Sequence, residues 1–499
     1  MEDAKLLWGI LFFYPSISPP LYPSTLMITF VCCLIALVAG YFIYGPFVQR
    51  VFGIDPARET PAFAKQDGVD YIPIPTWKVF MIQFLNIAGL GPIFGAIMGA
   101  KFGTASFLWI VLGSIFAGAT HDYLSGMLSL RHGGESLPEL TGRYLGSHFK
   151  QFMRGFTVLL MILVGAVFVA GPAGLLAKLT PDYLNITFWI MVIFVYYILA
   201  TLLPVDKIIG KIYPLFAIAL LFMAIGILIM LFVKHPPLPE LTDGMSNTHP
   251  AGLPIFPIMF VSIACGAISG FHATQSPLMA RCLKNEKYGL PVFYGAMITE
   301  GIVALIWAAA ATYFFHTNGM EEKNAAVVVD QITKEWLGTI GGILAILGVV
   351  AAPITSGDTA FRSARLIVAD FLRWEQKSIA RRLMICLPMF VAAIAILIYS
   401  QKDKDGFDTI WRYFAWANQT LAVFTLWALT VYLAQAKKTY LITLIPALFM
   451  TAVCSTYIFV APEGLQFPVR LSQLLGGIVT LSSFALFLIW KRKFDRMIN

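Results

Sequence analysis

Charge is what this sequence lacks. Only 12% of its 499 residues are charged, about half the roughly 25% of a soluble domain, whereas 58% are apolar and 14% aromatic. Such a composition excludes a disordered chain and an ordinary water-soluble assembly of domains. Cysteine is sparse, and the six present (Cys32, Cys33, Cys265, Cys282, Cys386 and Cys454) lie in or beside apolar runs. They show neither metal-ligand spacing nor a disulfide framework. There is no Walker A sequence, no HExxH, no GxSxG elbow and no pair of intramembrane aspartates. The chain therefore reads as neither an ATP-driven pump nor an enzyme, and it calls for no cofactor. Its 35 Lys and Arg exceed its 27 Asp and Glu, an excess that loop charge bias in a membrane explains better than nucleic acid does. The start, MEDAKLLWGILFF, has an acidic leader and no small-residue cleavage site, so it does not read as a signal peptide. Leu6–Phe13 is too short to cross and is expected at the interface.

What is present is a series of long apolar runs. At about 20 residues per span, they predict an all-α polytopic membrane protein of about thirteen helices. The limits are near 24–44, 79–100, 102–128, 155–177, 184–203, 212–233, 253–280, 290–315, 338–361, 383–400, 409–434, 439–460 and 471–490. Assigning the 35 Lys and Arg to alternate sides of these spans divides them 25 to 10. The positive-inside rule expects such a bias, which places the N-terminus outside and the C-terminal KRKFDRMIN in the cytoplasm. The loops are short, and no soluble domain remains.

Two spans are interrupted by glycine, proline and polar residues together. Span 2, QFLNIAGLGPIFGAIMGAKFG, carries Asn86, Gly89, Gly91, Pro92 and Gly95; span 7, IACGAISGFHATQSPLMARC, carries Gly266, Ser269, Gly270, His272, Thr274, Gln275 and Pro277. Proline removes a helix hydrogen bond and glycine permits unwinding. The freed backbone survives in a membrane only where it faces protein or a cavity. An offset of five spans gives the two segments opposite orientations. Two inverted five-helix repeats, each opening with a broken helix, are the core of many ion-coupled transporters. The repeats would be 79–233 and 253–434, with 1–78 supplying one extra helix and a cytoplasmic loop, and 439–499 two more helices and a basic tail. The plainer alternative is that Gly91, Gly95, Gly99 and Gly103 form a small-residue packing face, which accounts for the glycines but not for polar groups at the same depth.

A third irregular stretch lies in span 9, GVVAAPITSGDTAFRSARLIVAD. Ala352, Thr355 and Ser356 present two hydroxyls on one helix face. In sodium-coupled transporters of this architecture the eighth core helix contributes a small-x-x-Thr-Ser group to a cation site, and span 9 is eighth counted from span 2. Either Thr355 and Ser356 hold Na⁺, or their hydroxyls only bond their own helix carbonyls. Glu300, ten residues into span 8, is either the seat of a coupling proton or a structural partner for Arg or His. Asp358 and Arg362, spaced i,i+4, read first as a helix-surface ion pair and second as a gate. His272 either meets a substrate carboxylate or is a satisfied core histidine. His121–Asp122, with no companion ligand at metal spacing, carries little weight, and RHGGESLPELTGRYLG reads as an ordered cytoplasmic elbow. Asn418 and Gln419 are expected to bond between helices.

The stretches ACGAISGFHATQSP, GVVAAPITSGDTAFRSARLIVADF, WANQTLA and AGATHDYLSGMLSLRHGGES resemble the carbon starvation protein A family of prokaryotic inner-membrane transporters, over roughly spans 2 to 11. The resemblance implies the LeuT-like fold of the amino acid–polyamine–cation superfamily and uptake of peptides or pyruvate. Its motifs fall on Ser269 and His272 and on Thr355, Ser356, Gly357 and Asp358. The chain is much shorter than the best-known members of that family. The resulting expectation is a cation-coupled symporter, driven by H⁺ or Na⁺, for a small carboxylate-bearing solute, with the lipid bilayer as its surroundings and no nucleic-acid partner. Asn86, Gly89, Gly91, Gly95, Ser269, His272 and Gln275 would bind substrate. Thr355, Ser356, Asp358 and Glu300 would couple the ion, with no metal beyond possible Na⁺ at the two hydroxyls. The alternative is a membrane sensor that binds a nutrient without moving it.

Overall fold

The computed structural model describes residues 27–202, 209–320, 325–376, 378–402 and 406–498. Leu6–Phe13 and the N-terminal tail lie outside them. Among the described residues, ten helices are long and apolar enough to cross a membrane, or eleven if one bent pair is a single span. The first is α1 (Ile28–Phe52). The bent pair is α2 (Thr76–Ile87) and α3 (Gly91–Ala100), which meet at 52°. Then come α4 (Thr104–Arg131) and α5 (Ser147–Leu179), the 17-residue α6 (Ile186–Leu202) and α7 (Ile209–Lys234).

The stretch expected as span 7 is not one helix. Short helical pieces run from Ile255 to Ala267, the chain is extended at Ile268 and Ser269, and α8 (Gly270–Ala280) resumes. The remaining helices are α9 (Glu286–Asn318), α10 (Gly341–Leu372), α11 (Ile379–Lys402), α12 (Gly406–Gln435), α13 (Leu441–Val460) and α14 (Val469–Ile498). A turn at Gly338, φ 66°, separates α10 from the helical stretch that begins at Ala325. The third irregular stretch of the sequence is thus continuous helix through Thr355 and Ser356, and its irregularity lies a few turns earlier.

Burial follows position in the bundle. The windows of α4, α5, α9 and α10 are 83%, 72%, 89% and 81% buried, against 33% for α1 and 17% for α14. The central helices carry the polar residues, whereas the strongly apolar α1 and α7, each 33% buried, turn most of their surface outward, as lipid contact requires. The start of α1 is capped from a distant loop: the Ile28 and Thr29 amides donate to the Glu240 carboxylate at 2.9 and 2.7 Å. Free amides at a helix N-terminus favour an anion.

The opposite end is tied by charge. Asp70, in the loop before α2, is buried 3.4 Å from Arg365 and 3.6 Å from Arg362 of α10. The Asp358 carboxylate, expected beside Arg362, instead accepts from Tyr213 Oη of α7 at 2.6 Å. The elbow is ordered, with a short helix at Leu137–Leu145. Its first residue, Arg131, grips Glu286 at 3.0 and 2.9 Å.

Burial would by itself raise the Asp70 carboxyl, but the guanidiniums of Arg365, Arg362, Arg281 and Arg382 outweigh it and hold the group below the usual carboxylate range. The stabilisation is therefore complete above the unfolded-state value of about 3.9 and is lost as pH falls through the depressed folded value. Asp70→Asn is expected to lower unfolding free energy by about 3–5 kcal/mol, since two buried guanidiniums lose their anion. Denaturation in detergent across pH checks this: the variant's loss shrinks as the wild type is acidified, and a loss independent of pH contradicts it.

Candidate site at the two helix breaks

Each break frees backbone groups, and neighbouring helices supply partners for them. At the first, the Ser356 hydroxyl of α10 donates to Leu85 O at 3.1 Å and Thr359 Oγ1 bonds Asn86 Oδ1 at 3.3 Å. At the second, Asn418 Oδ1 of α12 accepts from the Phe271 amide at 2.6 Å and from Ser269 Oγ at 3.0 Å. It caps the N-terminus of α8. Gln419 Nε2 donates to Phe260 O at 2.6 Å, so adjacent residues of α12 serve both sides of one break.

Glycine lets the two broken segments touch. A Cβ on Gly91 would stand 2.1 Å from Cys265 Cβ, and one on Gly95 2.9 Å from Ser262 O. The small-residue reading of these glycines is therefore correct as to packing. The breaks remain, because Ala88, Ile268 and Ser269 have left helical geometry. Thr355 Oγ1 sits 2.9 and 2.8 Å from Ala351 O and Ala352 O, and Ser356 Oγ 2.9 Å from Ala352 O. Both hydroxyls bond their own helix, and Ser356 additionally reaches the first break. Gln275 of α8 faces α10, with Nε2 3.0 Å from Thr274 Oγ1 and 3.5 Å from Ser363 Oγ.

The largest departure from the sequence reading concerns His121–Asp122. The two carboxylate oxygens of Asp122 hold different histidines, His121 Nδ1 at 2.7 Å and His272 Nδ1 at 2.8 Å. The far nitrogen of His272, Nε2, lies 3.4 Å from Glu300 Oε2. All four side chains are fully buried. The companions absent from local spacing come from α8 and α9, His272 150 positions from Asp122 along the chain and Glu300 further still. Nothing in sequence periodicity signals that meeting; a weak signal was that three intramembrane ionisable groups each wanted a partner. Small residues bring the helices close: Gly118 of α4 abuts Ala267 O, and Ser114 Oγ donates to Gly266 O at 3.1 Å.

A cavity of about 480 Å³ borders this region. Phe94 and Met98 of α3, Val261 and Ser262 before the second break, Gly171 of α5 and Trp411 of α12 form its walls. Lys178, Arg412, His249 and Asp408 also reach it. None of Asn86, Gly89, Gly91, Gly95, Ser269, His272 and Gln275 lines it. They are buried, Gly91 in the contact between the two breaks. The groups expected to bind substrate are thus buried and apart from the cavity walls.

The family profile described as Carbon starvation protein CstA matches residues 24–186, 177–337 and 323–457. The chain belongs to this family. The peptide transporter CstA of Bacillus subtilis is 28% identical, across 93% of this chain and 96% of its own length. A membrane protein of Haemophilus influenzae is 44% identical over 58% of this chain and 91% of its own. The pyruvate/proton symporter BtsT of Escherichia coli is 28% identical over 58% of this chain and 49% of its own. Among solved structures, a manganese transporter of Eremococcus coleocola superposes with TM-score 0.56 at 13% identity, covering 87% of this chain and 99% of that one. MhsT in complex with L-phenylalanine gives 0.55 at 12%, covering 82% and 97%. These two likenesses establish a shared fold, the LeuT-like transporter fold. This CstA-family chain is a multi-pass membrane protein.

The contact between the breaks is testable by itself. Gly91→Ala is expected to cost about 1–3 kcal/mol through overpacking, and Cys265→Gly in the same chain to recover part of that loss. Detergent unfolding of the two single variants and the double variant checks it; strict additivity would refute the contact.

Proposed function

We propose that this CstA-family protein is a secondary transporter importing small carboxylate-bearing nutrients, pyruvate or short peptides, by cation-coupled symport across the prokaryotic inner membrane. The observation that carries the reading is the cavity reached by Lys178 and Arg412 beside two broken helices in contact. Broken helices at a repeat interface are where transporters of this kind bind solute and ion. Lys178 and Arg412, the latter also paired with Glu463 at 3.2 Å, give the cavity lining cationic side chains that suit a carboxylate. The names of the Bacillus subtilis and Escherichia coli relatives agree with both solutes.

In this reading the chain crosses the membrane thirteen times. Residues 79–233 and 253–434 form inverted repeats, 1–78 and 439–499 flank them, and the N-terminus is outside and the C-terminus cytoplasmic. The charge division between loops supports that orientation. The cavity would then face outward, while the Asp70 cluster closes the cytoplasmic end. Parting the Gly91–Cys265 contact would expose Asn86, Gly89, Gly91, Gly95, Ser269, His272 and Gln275 to the solute. Ion coupling would fall to Thr355 and Ser356 beside the Leu85 carbonyl for Na⁺, or to Glu300 for H⁺. Asp358 would lock α10 to α7 through Tyr213. No cofactor enters this scheme.

Liposomes holding the purified protein test it, with labelled pyruvate and a labelled dipeptide offered under an imposed Na⁺ or pH gradient. Accumulation of one solute under one gradient is the expected result, and no uptake of either by folded protein counts against it. Arg412→Gln is expected to raise the KM for the transported solute about tenfold, the scale of one charge-assisted hydrogen bond. An unchanged KM removes Arg412 from solute capture.

A further inference from the structure

The four buried groups at the second break make a charge problem of their own. Asp122 receives two imidazoles, one on each oxygen. Glu300, fully buried, has no hydrogen-bond partner for either oxygen among the described residues, and neither does His272 Nε2, 3.4 Å away. Among the described residues no Lys or Arg lies within ion-pair distance of either carboxylate. The other titratable group at hand is the Cys265 thiol, engaged with Ser269 Oγ at 3.6 Å and Asn418 Nδ2 at 3.3 Å.

Isolated charge at this depth is costly, so the number of protons shared by the cluster determines its energy. With Asp122 ionised, His272 an imidazolium and Glu300 protonated, the cluster is neutral. Removing one proton leaves it with a single negative charge.

We infer that Asp122, His272 and Glu300 form one proton-carrying centre, with His121 positioning Asp122, and that its proton count biases the position of α8. This rests on the cation-coupled reading above and assigns the ion to this centre rather than to Thr355 and Ser356. The transfer step is simple. The Nε2–H bond of His272 breaks as an O–H bond forms on Glu300 Oε2, so imidazolium and carboxylate become imidazole and carboxylic acid. The reverse step restores the charges.

Geometry favours a proton over Na⁺. A hard cation wants a shell of oxygens, whereas here an imidazole stands between two carboxylates, offering one donor or acceptor to each. The mobile part is identifiable as well. His272 sits on α8, the half-helix that begins after the extended residues Ile268 and Ser269. Asp122 and Glu300 belong to α4 and α9, which run on beyond the break. A shift of α8 therefore lengthens or shortens the 3.4 Å gap and opens or closes the transfer.

The test separates coupling from transport. Wild-type protein and Glu300→Gln are placed in liposomes with labelled pyruvate or a labelled dipeptide. Solute exchange is measured with equal pH on both sides, and accumulation under a pH gradient. The expected result is that the variant still exchanges solute but no longer accumulates it above the bath concentration. Asp122→Asn, measured in the same way, covers the case in which Glu300→Gln does not fold. Accumulation by either folded variant at wild-type level overturns the assignment, as does wild-type accumulation driven by Na⁺ alone. Absence of both exchange and uptake in the wild type counts instead against the transport reading. The centre then has a separate readout, since infrared difference spectra across pH are expected to show a carboxylic acid band that Glu300→Gln lacks. Identical spectra for the two proteins overturn it.

Discussion

The constraint on which the rest depends is that backbone freed inside a membrane must find its partners within the protein. Two helices are broken here, and neither break is left to lipid or to a vacant interior. Ser356 takes the Leu85 carbonyl, Asn418 caps the amide start of α8, and Gln419 holds the carbonyl of Phe260. These three side chains come from α10 and α12 and fix both helices against the breaks. Deeply packed helices of the bundle, α4, α9, α10 and α12, surround this region.

A second consequence is that polar groups accumulate where the backbone has already required close packing. Gly118 lets α4 approach Ala267, and the same approach brings Asp122 to His272. The carboxylates and imidazoles are thus held by the packing of small residues as well as by their mutual hydrogen bonds. Charge at the other end of the bundle follows a different rule. Asp70 is enclosed by guanidiniums that compensate it, so that cluster acts as a clamp, whereas Glu300 meets, among the described residues, one ion-pair partner, the imidazole of His272 at 3.4 Å.

Much of the fold was legible from local pattern. Apolar run length indicated the membrane helices, and proline with glycine indicated both interruptions, because each acts on the few residues around it. The interhelical role of Asn418 and Gln419 was legible too, as polar side chains in an apolar helix need partners. Their place at a break was not, since it depends on which helix lies opposite. Asp358 shows the limit of spacing arguments: an i,i+4 arginine is available in sequence, yet the carboxylate bonds Tyr213 from another helix.

By itself the sequence determined that the chain lives in a bilayer, where its helices are interrupted, and which polar residues lie at membrane depth. Hydrophobicity and helix breaking are properties of neighbours along the chain. Only the tertiary structure decided that His121–Asp122 meets His272 and Glu300, that Asp70 meets Arg362 and Arg365, and that Gly91 of the first break seats against Cys265. Those pairings join positions far apart in the chain, and they follow from the angles and separations at which whole helices pack, which no local period encodes.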